Sequence, residues 1–172
     1  MNNSAGIFLF IAWATVVAIS DCRARRISNL IVCAGLAAAF GCALFQCGPF
    51  GISLLHSGIG ASVGLIALLP FFALGVMGAA DVKVFAVLGA WCGMSALPGL
   101  WIAASLAAGA HAVWLVATNW MTRTSRPRFA GAGRLTGATF ELGGKASTPY
   151  AACLTLASLV WLVWHATGGV AR

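Results

Sequence analysis

The feature that most constrains this chain is the length of its apolar runs. Residues 5–20, 27–45, 52–76, 82–96, 97–121 and 150–167 are almost uninterrupted by charge. Crossing about 30 Å of hydrocarbon takes roughly 17–25 helical residues, and these runs meet or approach that length. They lack the alternation of a lipid-facing strand, and a bilayer admits only helices or closed barrels. The expected fold is all-α: a polytopic membrane protein built as a six-transmembrane-helix bundle, a single domain over 1–172. Composition supports this, with 61% of residues hydrophobic and 8% charged. Soluble domains carry about 25% charged residues, so this chain has too few polar side chains to cover a surface in water.

The charges orient the bundle. Asp21, Arg23, Arg25 and Arg26 follow the first run, Asp81 and Lys83 follow the third, and Arg123, Arg126, Arg128, Arg134, Glu141 and Lys145 separate the last two. Those are alternate connections and therefore one side of the membrane. The intervening connections, 46–51 and 95–99, carry no charge. The positive-inside rule makes the charged side cytoplasmic and places both termini outside. The basic residues come after the first run rather than before it, which is the wrong order for a cleaved signal peptide, so the first segment is expected to remain. The net charge of +7 is accounted for by topology and anionic membrane lipid. Nucleic acid is not an expected partner, since the aromatic residues lie in the spans and not beside the basic ones.

Metal chemistry finds little support. The six cysteines include no C-x-x-C pair, the spacing from which structural zinc sites are normally built. Cys42 and Cys47 lie near the outer face, where oxidation could join them. His56, His111 and His165 fall at different depths and are expected to pack or hydrogen-bond between helices. Gly60 with Gly64, and Gly89 with Gly93, have G-x-x-x-G spacing, which favours close helix contact.

The acids remain. Asp21 and Asp81 are the only aspartates, and each lies at the cytoplasmic end of a span, so both sit at one depth. Ionisable groups at the edge of hydrocarbon are costly and usually functional. Two carboxylates brought together cannot both ionise comfortably and share a proton. Such a pair activates water with one member and polarises a scissile carbonyl with the other, which is the chemistry of an aspartic protease. Each also has a structural reading: Asp21 as a counter-charge to the arginines after it, and Asp81 as the N-cap of the fourth helix. Lys83 does not face Asp81, because residues two apart on a helix diverge. It is expected to point at headgroups or at a substrate's flank.

At these two places the sequence resembles a family. "SDCRARRISN", from Ser20 to Asn29, and "MGAADVKVFAVLGAWCG", from Met77 to Gly93, are similar to the two aspartate motifs of type IV prepilin peptidases, intramembrane aspartic proteases with a G-x-G-D signature. Asp21, the arginines, Ile27 and Asn29 match the first motif; Gly78, Asp81, Lys83, Leu88 and Gly89 match the second. "KASTPYAACLTLASL", Lys145 to Leu159, is similar to the start of the family's last span. The resemblance implies Asp21 and Asp81 as catalytic residues, with Gly78, Ala80, Lys83 and Asn29 binding substrate or supporting the site. No metal and no cofactor is implied.

Two departures stand out. Ser28 replaces a proline, a mild change because Ser28 or Asn29 can cap the second helix. Ala80 replaces the glycine before the second aspartate. Glycine tolerates positive φ and close backbone approach where alanine does not, so the expectation is an ordinary φ here with Gly78 supplying the freedom. Larger members of the family carry a cytoplasmic insertion with paired C-x-x-C motifs and an N-methyltransferase activity. This chain has only a few residues between its first two spans and no C-x-x-C pair; it looks like the short form associated with Flp or tight-adherence pili, which implies peptidase activity without methylation. The implied substrate is a prepilin, a basic leader joined to an apolar helix in the membrane. The glycine- and arginine-rich loop of about 122–148 is expected to be a flexible connector; the alternative is contact with the leader or the pilus assembly machinery. Two other classes compete with this reading: a non-enzymatic pilus assembly component that keeps the fold, with Ala80 as its symptom, and a proton or cation transporter. The transporter is disfavoured because no acid lies mid-membrane to form a relay.

Overall fold

The computed structural model describes residues 4–24, 26–124 and 150–166. Arg25, Glu141, Lys145 and nearly all of the expected cytoplasmic loop therefore lie outside the described residues. The described residues form six α-helices: α1 (Ser4–Ala24), α2 (Asn29–Leu44), α3 (Leu54–Ala73), α4 (Ala79–Cys92), α5 (Leu97–Thr124) and α6 (Tyr150–Ala166), with a 3-10 turn, Met94–Ala96, ahead of α5. Among the described residues there is no strand.

Among the described residues three stretches can cross a membrane by length and composition: Ser4–Ala24, Leu54–Ala73 and Met94–Thr118. Six helices thus stand where six spans were expected, but among the described residues only three stretches have spanning length. Helices α2 and α6 are apolar but shorter. The physical reason is clearest in α4, whose 14 residues reach only about 21 Å at 1.5 Å per residue. It is enclosed by protein instead of lipid: Val82 and every residue from Val84 to Cys92 are buried. A helix apolar on all sides belongs at the centre of a bundle, and α2, α3, α5 and α6 all pack on this one.

Small residues let the backbones meet. A Cβ on Gly60 of α3 would fall on the carbonyl oxygen of Gly89 of α4, and one on Gly89 would fall on the carbonyl oxygen of Gly60. A Cβ on Gly64 would come within 2.8 Å of the Phe85 carbonyl oxygen. The G-x-x-x-G spacing thus marks direct backbone packing. On the other flank the Trp13 indole of α1 lies against Gly35 of α2 and donates from Nε1 to the Ile31 carbonyl at 3.0 Å.

Local chemistry sets the helix ends. The Ser28 and Ser53 hydroxyls cap α2 and α3, accepting the N–H groups of Ile31 and His56. Helix α3 closes in a Schellman turn: the Gly75 N–H donates to the Phe72 carbonyl at 2.9 Å and the Val76 N–H to the Phe71 carbonyl at 3.0 Å. Gly75 takes φ +70° there, a conformation that costs glycine nothing. That turn delivers the chain to α4 at the end of the bundle where α1 finishes and α6 begins. The histidines do not converge: the His56 ring meets the Ser53 hydroxyl at 2.8 Å, His165 packs on Phe50 and Trp161, and His111 is exposed. All six cysteines are free thiols.

Candidate active site

Three helix ends meet around the two aspartates. Asp21 lies in the last turn of α1 and is buried, 7% exposed, beside exposed Arg23 and Arg26. Its Oδ2 accepts from the Ala152 N–H in the first turn of α6 at 2.9 Å. A carboxylate near the C-terminus of its own helix faces the unfavourable end of that dipole. The N-terminus of α6, with unsatisfied N–H groups and the opposite partial charge, offsets this. The reading of Asp21 as a simple counter-charge to the arginines is therefore incomplete, because its described partner is backbone.

Asp81 occupies the third position of α4, just before the apolar run of 82–96. Gly78 is the N-cap, with φ −77° and ψ 149°, so the expectation of Asp81 as N-cap is corrected by three residues. The Asp81 Oδ2 reaches back to accept the Gly78 N–H at 3.3 Å, as the acidic arm of a capping box does. Burial, and after it the negative charge of Asp21, push the Asp81 carboxyl up to about 6. The backbone N–H groups of Gly78 and Ala151 pull the other way. Consecutive amides of α6, Ala151 and Ala152, thus act on Asp81 and Asp21 respectively.

The supporting residues divide. Ala80 is the second residue of α4, half-buried against the core, and has no positive φ. The ordinary φ expected here is found, but the freedom comes from Gly75 and not from Gly78, whose own φ any residue can adopt. Gly78 matters sterically, since a Cβ there would stand 3.2 Å from Asp81 Oδ2. Lys83 donates from Nζ to Asn29 Oδ1 at 2.7 Å, tying the start of α2 to α4. These two are brought together near the carboxyls but point to the α2 flank.

Sequence reasoning located the start of α6 but missed that it meets the aspartates. The Tyr150 hydroxyl there pairs with the Ser105 hydroxyl of α5 at 3.1 Å, one residue ahead of the α6 amides that meet the carboxyls. The available signal was Thr148-Pro149 ahead of an apolar run, a helix-start pattern that says nothing of what the helix end will touch. Among the described residues no three of His, Cys, Asp and Glu gather as metal ligands.

Residues 8–113 match the type IV leader peptidase family. The chain belongs to that family. The matched stretch contains both aspartates and all of α2, α3 and α4, while α6 lies beyond it. Comparison with curated proteins and with solved structures returned no match. Membership in the type IV leader peptidase family makes the chain a protease and implies prepilins as its substrates. The apolar helices of this leader peptidase, three of them of spanning length, make it a membrane protein.

Proposed function

We propose that the protein is an aspartic endopeptidase that removes the basic leader from Flp-type prepilins at the cytoplasmic face of the bacterial inner membrane, using Asp21 and Asp81 as its catalytic pair. The observation that carries this is the convergence of both carboxyls on adjacent amides of α6. In the working state the pair holds one proton. Asp81, raised by burial and by its neighbour, holds that proton, and Asp21 acts as general base on a water molecule. The water oxygen bonds to the scissile carbonyl carbon while its proton passes to Asp21, and protonated Asp81 hydrogen-bonds the carbonyl oxygen. Collapse breaks the C–N bond, the leaving amine takes a proton from the pair, and the new carboxyl terminus departs with the leader.

The membrane side follows from charge. Arg23, Arg26 and Lys83 lie at the end that carries the aspartates, which the positive-inside rule makes cytoplasmic; both termini are then outside. Only a few residues separate α1 from α2, with no C-x-x-C pair in the chain, and we assign no N-methyltransferase activity. Prepilin processing in membranes carrying Asp21→Asn or Asp81→Asn tests the reading. Each substitution is expected to abolish cleavage while the protein still inserts, and ordinary processing by either variant would overturn it.

A further inference from the structure

Helices α2 and α3 both pack on α4 and leave a furrow between them. It encloses about 430 Å³ and is lined by Asn29, Val32, Cys33, Leu36, Leu65 and Lys83, among others, with Ala86 of α4 at its floor. The volume lies in the range of small-ligand sites. The furrow is graded along its length. At the aspartate end stand Lys83 and Asn29, with exposed Arg26 just ahead of α2; one and two helical turns further in, the walls are Cys33 and Leu36 on one side and Leu65 on the other. Cys33 and Leu65 are exposed, so the furrow opens sideways to the surroundings of the bundle.

Lys83 is the distinctive element. Its side chain is half-buried and its described partner, the Asn29 carbonyl oxygen, is neutral and uses one of three ammonium donors. Asp81 is two residues away and faces elsewhere on the helix. A cation at the mouth of an apolar furrow, at the depth where the bundle meets headgroups, calls for an anion joined to an alkyl chain.

We infer that the α2–α3 furrow binds one anionic phospholipid, its acyl chain along Leu36, Cys33 and Leu65 and its phosphate at Lys83. This does not depend on the catalytic reading of the aspartates. The headgroup is selected by charge and the chain by apolar lining, and an occupied furrow would brace α2 against α4 beside the aspartates.

The test is lipid retention by the purified full chain in mixed micelles of phosphatidylglycerol and phosphatidylcholine with matched acyl chains, read by native mass spectrometry. The wild type is expected to retain phosphatidylglycerol preferentially. Lys83→Gln should cut that preference about fivefold, the effect of one basic residue at an anionic surface, whereas Lys83→Arg should keep it. Cys33→Trp, which fills the furrow from its exposed wall, should lose both lipids. An unchanged ratio in Lys83→Gln, or no retained lipid in the wild type, overturns the inference. So does loss of prepilin capture in Cys33→Trp with lipid retention intact, which would give the furrow to the substrate.

Discussion

Asp21 and Ala152 are joined by a 2.9 Å hydrogen bond across 131 positions of sequence. The bond ties the last turn of α1 to the first turn of α6, and it satisfies a buried carboxylate with a backbone donor. Hydrogen bonds to charged groups contribute about 1.5–3 kcal/mol. Ala152→Pro removes the donor at a position in the first helical turn, where proline is tolerated. Cleavage is expected to fall about tenfold or more while the helical circular dichroism is kept, and Ala152→Gly, which keeps the N–H, should retain most activity. Comparable losses in both variants would mean that the donor is not what matters.

Raising Asp81 to about 6 makes cleavage pH-dependent. The pair must hold one proton, so kcat/KM should decline as pH rises through about 6. The same shift has a sign for stability. A carboxyl whose folded value lies above its unfolded one binds more protons when folded, so stability is greatest below the unfolded value and is lost as pH rises from about 4 to about 6. Asp81→Asn removes that loss. It should be inactive yet more stable than wild type by about 1–2 kcal/mol at pH 8, the advantage vanishing below pH 4. Unfolding midpoints in detergent at the two pH values check this.

The contact of Gly60 with Gly89 holds α3 and α4 backbone to backbone, and α4 carries Asp81. Gly89→Ala would drive its Cβ into the Gly60 carbonyl and force the helices apart. Overpacking of this kind costs about 1–3 kcal/mol, and the displaced α4 should lower cleavage as well. Gly58, on the same α3, has nothing within 4 Å of a built Cβ. Gly58→Ala should leave cleavage unchanged and the unfolding midpoint equal or slightly higher, since alanine is the better helix former.

How much of this was legible in the sequence depends on the range of the interaction. Apolar runs are local, and they located six helices with ends mostly within a few residues; the fourth run, 82–96, became Ala79–Cys92. The two candidate aspartates were legible because ionisable groups are so scarce that Asp21 and Asp81 stand out. Spanning length was overestimated, because an apolar run reads the same whether lipid or other helices cover it, and α4 is covered by helices. The α6 amides were illegible: every residue but proline has an N–H, and only the tertiary arrangement says which of them faces a carboxylate. Gly75 was passed over for Gly78 because the Schellman turn depends on where α3 ends, which periodicity fixes only to within a few residues.

Ala80 is the remaining departure from the family motif, and its position within α4 fixes what a glycine would do there. The residue is helical and half-buried, with φ in the ordinary range. Ala80→Gly therefore relieves no strain and adds backbone freedom to the unfolded chain, costing about 0.5–1 kcal/mol. Cleavage by Ala80→Gly should equal or fall slightly below that of wild type. Gly75→Ala should behave differently, because φ +70° is strained for alanine, and the turn that aims α4 would have to shift. The expected cost is about 1 kcal/mol or more, with a larger loss of cleavage than of folded protein. Parallel measurement of prepilin processing and unfolding midpoint for the two variants separates the cases. A several-fold gain in Ala80→Gly would show that alanine restricts the approach of substrate to Asp81.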